Sequence, residues 1–234
     1  MNRPSLLVLV RHGESHRNVA KKGNTYFIDD ESRRSVRGVP DHEIPLTDEG
    51  WRQAEATGRA LCERFGAFHY LYHSGYRRTA EPAEGILRGY PQALTASIQV
   101  RHNLFIRERA AGHAYDMPTA EAEAAFPYLR EYWKTTGSFF AHPPGGESLA
   151  KVCERVYLFL NMLFRERAGE RVLIVTHGGT LRAFRFLLER WDYREADVRF
   201  HSDPPQNCSV TVYEYGDEQQ YLALREYNRV YWKV

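Results

Sequence analysis

Two short apolar runs set the terms for any fold of this chain. Leu6 to Val10 (LLVLV) and Val172 to Thr176 (VLIVT) are continuous leucine and β-branched segments of strand length, without the polar alternation of a half-exposed strand. Strands of that kind are covered on both faces. They predict an α/β sandwich, with helices on either side of a mixed, mainly parallel sheet. Each run then breaks into similar text, Arg11-His12-Gly13 after the first and His177-Gly178-Gly179 after the second. A cation beside an imidazole at a core edge costs free energy unless something anionic compensates it.

Helical patterns fill the intervals. Trp51, Ala54, Gly58, Leu61, Cys62 and Phe65 share one face behind Thr47, whose hydroxyl and the acidic Asp48 and Glu49 make a helix start. A second apolar stripe runs from Leu149 to Leu163 behind Ser148, and a third from Leu181 to Trp191 behind Thr180. His69 to His73 reads as a further strand. Ser209 to Tyr215 and Tyr221 to Tyr227, on either side of a Gly-Asp turn, read as a hairpin at a sheet edge. Two segments fit the alternation poorly, residues 21 to 45 and 109 to 144. They read as insertions that build a small cap on a single domain spanning residues 1 to 234.

Composition narrows the functional classes. With 43% apolar residues, 26% charged residues and a formal net charge of +2, the chain lacks the charge bias of a nucleic-acid or membrane-surface binder. The longest apolar run is far shorter than a signal-peptide core or a membrane span, so a cytoplasmic location is expected. Cys62, Cys153 and Cys208 are scattered and odd in number, which gives neither a disulfide framework nor a zinc spacing. No sequence signal bears on oligomeric state.

Chemistry concentrates at the carboxyl ends of the strands, where open α/β sheets bind ligands. The two His-Gly segments place two histidines in one crevice. Glycine-rich turns and helix starts there offer backbone N–H groups to an anion. The third strand runs into HSGYRRTAEPA and delivers Arg77 and Arg78 near the same edge. Arginine forks match phosphate oxygens, so the crevice is expected to hold a phosphate group. A neutral imidazole is a nucleophile toward phosphorus, and a second, protonated one can stabilise the developing charge. A departing alkoxide also needs a proton from a nearby carboxylic acid; Glu108, just beyond a short apolar segment, is a candidate that composition does not single out among the 30 acidic residues.

The ordered segments RHGESHRN, LTDEGWRQA, SGYRRT, RERAAG, GGES and VTHGG resemble the histidine phosphatase superfamily, in the branch that also holds the cofactor-dependent phosphoglycerate mutases. The resemblance spans roughly residues 5 to 190. It implies that His12 is the phosphorylated nucleophile and Arg11 a phosphate clamp. It also implies His177 as the second pocket histidine, Asn18 as a support for the phosphate and Glu108 as the proton donor. The phosphate arginine of the third motif counts from Ser74 to Arg78, with Arg77 its rival if the register slips. Gly75 and Pro82-Ala83 depart from the family text, and the Gly-Trp-x-Asp segment of the mutases is replaced by Gly38-Val39-Pro40-Asp41.

The expected function is therefore metal-independent hydrolysis of a small phosphorylated metabolite, with no cofactor and no metal. A bisphosphoglycerate-dependent mutase and a non-catalytic phospho-ligand module are the alternatives. No Cys-x5-Arg, Asp-x-Asp, Lys-Ser/Thr P-loop or His-Glu-x-x-His pattern offers another phosphate chemistry. Each residue also has a plainer reading. Arg11 and Arg78 can be salt-bridge partners, Glu108 part of a solvated charge run with Arg107 and Arg109, and Asn18 a helix starter. The basic stretch Lys21 to Arg37 is by default a solvated loop, with a lid that recruits an anionic substrate as the alternative. Tyr26, Phe27, Tyr132, Trp133, Phe139 and Phe140 more often glue a cap to its domain than line a mouth. His42, His102, His113 and His142 have no assigned role.

Overall fold

In a computed structural model the backbone of residues 2–216 and 220–233 is described, without the side chains of Phe200 and His201. One six-stranded sheet organises the chain. Its strands are β1 (Leu6–Arg11), β2 (Tyr70–His73), β3 (Gln99–His102), β4 (Arg171–Thr176), β5 (Val210–Gly216) and β6 (Tyr221–Arg229). They lie in the order β3-β2-β4-β1-β5-β6. The first four positions are mutually parallel, and β5 and β6 close one edge as an antiparallel hairpin. The Gly-Asp turn expected between them reaches residue 217, outside the described residues.

The helices are α1 (His16–Lys21), α2 (Asp30–Arg33), α3 (Asp48–Phe65), α4 (Arg77–Arg88), α5 (Gln92–Thr95), α6 (Thr119–Ala125), α7 (Leu129–Thr136), α8 (Leu149–Glu166), α9 (Gly178–Leu188) and α10 (Tyr193–Ser202). Thr47 and Ser148 cap α3 and α8 through their hydroxyls, as their sequences predict. The third helix starts earlier than expected. His177, not Thr180, occupies the N-cap of α9, its carbonyl accepting from Leu181 N at 2.8 Å, while the Thr180 hydroxyl donates to Arg107 O. The helix ends at Leu188, so Trp191 lies beyond it.

The unbroken apolarity of LLVLV and VLIVT has a direct cause. Leu7, Leu9, Val172 and Ile174 face α8 and α9, packing with Val156, Phe159, Leu181 and Phe184. The alternate residues Leu6, Val8, Val10, Leu173 and Val175 face the other way, with Leu61 of α3 and Ile86 of α4. Both sides of each strand are buried, so neither has a polar face. β3 was not foreseen because all four of its residues are exposed, which leaves no apolar pattern.

The two insertions pack on each other above the carboxyl ends of the strands. Phe27 bridges to Pro118, and Ala20, Phe27, Val36 and Ile44 bury a small separate core with Tyr115 against it. Phe27 and Phe139 are buried, the second in the main core, so they hold the cap rather than line an opening. Among the described residues no helix is long and apolar enough to cross a membrane.

Truncating the ring at the centre of the α8 layer tests this packing. Phe159→Ala, at a position with 0% exposure, is expected to cost about 3–5 kcal/mol in urea unfolding. Val198→Ala, at 71% exposure on α10, is expected to stay within about 0.5 kcal/mol.

Candidate active site

Pairing of β1 with β4 aligns Arg11 with Thr176, so the residues that follow, His12 and His177, leave the sheet side by side. His12 N donates to Thr176 O at 2.8 Å, and the two imidazole centroids lie 5.3 Å apart. Gly13 and Gly50 let the following loop cross the start of α3. A Cβ on Gly13 would lie 2.6 Å from Gly50 O, and one on Gly50 would lie 2.1 Å from Glu14 O.

The histidines are held differently. His12 Nδ1 lies 2.8 Å from the Gly13 carbonyl, which can only accept, so Nδ1 carries the proton and Nε2 keeps its lone pair. His177 is oriented by a chain that also ends on a carbonyl. The Thr79 hydroxyl donates to Tyr76 O at 2.8 Å, leaving its oxygen to accept from Ser74 at 2.7 Å. Ser74 Oγ in turn accepts from His177 Nε2 at 2.8 Å. His177 Nδ1 is buried without a partner, and so is Arg11 Nε. Two unsatisfied polar atoms on cationic or protonatable groups mark a place for an anion.

Burial is the main influence on both rings. It pushes His12 and His177 well below the ordinary histidine value of 6.5, and the positive charges of Arg11 and Arg78 add to it. Burial also brings Arg11 down to about 10, against the attraction of Glu108, so it remains a cation at neutral pH.

Arg78 is the pocket arginine. Its side chain is 4% exposed and its guanidinium pairs with the Asp41 carboxylate (Nη1 to Oδ1 3.0 Å), while Arg77 is 53% exposed and pairs with Glu81 along α4. Asn18 serves the helix start considered for it and also lies at the cavity. Its Oδ1 accepts from Ser15 N at 3.1 Å, completing the capping box of α1, and its side chain lines the cavity. Asn207, to which the sequence reading assigns nothing, donates from Nδ2 to His12 O and to Asn18 Oδ1. Its carbonyl is held by the Trp232 indole. Ser74 lies within a quoted motif but receives no role there. The motif's spacing identified its arginine, whereas its contact with His177 depends on the alignment of β2 with β4.

Glu108 is held in place from several sides. Its Oε1 accepts from Arg109 N at 2.8 Å and Gly179 N at 3.2 Å. Gly179 is needed here, since a Cβ would lie 2.7 Å from Oε1. Behind it the buried Arg155 donates to Phe105 O and Glu108 O while pairing with Glu147, so the charge run around Glu108 is not simply solvated. A cavity of about 700 Å³ opens over these groups, lined by Arg11, His12, Asn18, Arg78 and Glu108 among others. Donor atoms of His12, Glu108 and His177 lie within 4.8 Å of one another, close enough to hold a metal ion. The guanidinium groups of Arg11 and Arg78 oppose a dication there and favour an anion.

The description of the histidine phosphatase superfamily (branch 1) matches residues 7–228. Phosphoglycerate mutase-like protein AT74H of Arabidopsis thaliana is 29% identical over 238 residues, 93% of this chain and 76% of its own. A 2,3-bisphosphoglycerate-dependent phosphoglycerate mutase of Parvibaculum lavamentivorans is 32% identical over 190 residues, 80% of this chain and 81% of its own. Among solved structures, a mycobacterial glucosyl-3-phosphoglycerate phosphatase superposes with a TM-score of 0.70 at 22% identity, covering 96% of this chain and 99% of its own.

Both imidazoles are expected to be neutral at pH 6 in the anion-free protein, and phosphate binding is expected to protonate His177. Nitrogen-15 NMR of the ring nitrogens checks this, and a ring titrating near 6.5 without anion contradicts it. The unfolded chain takes up protons below about 6.5 that the folded chain refuses, so these histidines lower stability as pH falls below that value.

Proposed function

The chain belongs to the histidine phosphatase superfamily, and from that premise we propose that it hydrolyses phosphomonoesters through a phosphohistidine on His12. The observation that carries the reading is the buried His12 ring, its Nδ1 tied to the Gly13 carbonyl and its Nε2 lone pair left open beside guanidinium groups. A small phosphorylated metabolite is the substrate, and neither metal nor cofactor takes part.

In the first step His12 Nε2 attacks phosphorus in line, the P–O ester bond breaks and a P–N bond forms. The leaving oxygen takes a proton from the Glu108 carboxyl, which the Arg109 and Gly179 amides hold in place. Arg11 Nε, Arg78, the Asn18 amide and protonated His177 Nδ1 hold the phosphoryl oxygens. The Ser74–Thr79 chain keeps His177 in the orientation this needs. In the second step water gives its proton to the Glu108 carboxylate and attacks phosphorus. The P–N bond then breaks, releasing inorganic phosphate and neutral His12.

A mutase is the second reading, favoured by the Parvibaculum relative at 32% identity. It differs only in the acceptor, a bound phosphoglycerate in place of water. The site keeps every position that catalysis by the superfamily needs, which argues against a binding module.

Turnover of p-nitrophenyl phosphate in chelator, with phosphate release measured, tests the mechanism. His12→Ala is expected to lose on the order of 10³-fold or more in kcat and to lose the acid-labile phosphoenzyme. Arg78→Ala is expected to lose roughly 10²-fold or more, whereas Arg77→Ala stays within about threefold. Phosphate transfer between positions of phosphoglycerate, without release, selects the mutase.

A further inference from the structure

A line of contacts reaches the His12 end of β1 from the antiparallel edge of the sheet. β5 pairs with β1, Val10 opposite Val210, so the chain ahead of β5 runs back alongside the chain that leaves β1. Arg11 N donates to Ser209 O at 3.1 Å and Cys208 N to His12 O at 3.2 Å, which brings Asn207 to the wall of the cavity. β6 pairs with β5 in turn, Arg229 opposite Val210, and carries the residues after it along the same edge. There the Trp232 indole donates to Asn207 O at 2.8 Å. Gln206 is tied beside it, its N donating to Asn228 Oδ1 at 2.7 Å and its Oε1 accepting from Lys233 Nζ at 2.9 Å.

Two carboxamides meet at this point, and their hydrogen bonds leave each a single orientation. A carboxamide nitrogen carries two hydrogens, while its oxygen only accepts. Asn207 Nδ2 gives one hydrogen to His12 O at 3.2 Å and the other to Asn18 Oδ1 at 3.1 Å. Turned over, it would set its oxygen against two acceptors. Asn18 Oδ1 accepts from Ser15 N at 3.1 Å and Ser15 Oγ at 3.0 Å as well as from Asn207. Turned over, that amide would set its own N–H groups against three donors. The Nδ2 hydrogens are therefore what Asn18 has left to offer the cavity it lines, and among the described residues they have no hydrogen-bond partner.

We propose that Asn207 is a positioning residue: through Asn18 Oδ1 it holds the Asn18 Nδ2 hydrogens ready for the phosphoryl oxygens, and Trp232 holds Asn207 in turn. The phosphoryl occupant of this assignment rests on the hydrolytic reading above, whereas the orientation of the two amides rests on their hydrogen bonds. An untethered carboxamide can present its oxygen instead, which a dianion repels. Fixing the N–H groups beforehand removes that reorganisation from the binding step and from the reaction.

Calorimetric binding of inorganic phosphate tests the assignment through a double-mutant cycle. Asn207→Ala is expected to weaken binding about three- to tenfold, and by less than about twofold when Asn18→Ala is already present. Trp232→Phe keeps a ring and removes the indole N–H. It is expected to weaken binding about twofold or more, again only while Asn18 is in place. In nitrogen-15 spectra the Asn18 side-chain amide is identified by its loss in Asn18→Ala. Phosphate is expected to move at least one of its protons downfield in the parent protein, and to move it less in Asn207→Ala. A turn that merely loosens gives another pattern, because its effect persists without Asn18. That additive result, or an Asn18 amide that does not respond to phosphate, overturns the assignment. Thermal unfolding checks that the variants fold, and Trp232→Phe decides alone if Asn207→Ala does not. Full phosphate affinity in Trp232→Phe overturns the part given to Trp232. Binding needs no turnover, so a coupled cycle in a protein that hydrolyses no phosphomonoester removes the hydrolytic reading and leaves Asn207 its role.

Discussion

The parallel pairing of β1 with β4 is the constraint on which the rest of the site depends. Five residue pairs from Leu6 with Arg171 to Val10 with Val175 bring Arg11 level with Thr176, and the two histidines follow one residue later. A one-residue slip would turn every side chain of the strand to the opposite face. Burial on both faces does not fix the register of such a run by itself, because each face is apolar. The polar text at its end does that, since Arg11 and His12 can be accommodated only where the sheet opens to the cavity.

Around that pair the fold collects groups from distant parts of the chain, each through a different kind of contact. Ser74 reaches His177 because β2 lies on the other side of β4. Arg78 arrives on the first turn of α4 and is steadied by Asp41 from the first insertion. Glu108 is carried by a segment that Arg155 and Glu147 clamp from α8 and its approach. Asn207 ties the entry of β5 to the His12 carbonyl. The result is a buried, cation-rich cleft that disfavours protonated imidazole while empty. In the proposed mechanism a bound dianion reverses that preference, so the same charges would keep His12 nucleophilic and let His177 become a donor.

Much of this was readable from the residues, for identifiable reasons. The unbroken apolar runs stated that two strands are covered on both faces, and the His-Gly text stated where they end. Thr47 and Ser148 announced their helices because a hydroxyl cap acts locally. Thr180 misled because His177, a poor capping residue by type, is held at the N-cap by the strand before it. β3 is short and exposed, and α4 contains Pro82, so neither shows the pattern that identifies its class. Lys21 and Lys22, which read as part of a solvated loop, line the cavity because the insertions fold back over α1.

The sequence by itself determined the layered α/β architecture, the strand ends at which chemistry gathers, and the residue types able to bind and attack a phosphoryl group. These follow from local rules, the periodicity of burial and the chemistry of imidazole and guanidinium. Tertiary structure alone decided which nitrogen of each histidine is free and which side chains of the first insertion come to line the cavity. Those outcomes depend on carbonyls that only accept and on aromatic rings contributed by a remote insertion. Such contacts are set by packing between segments far apart in the chain, and local spacing does not encode them.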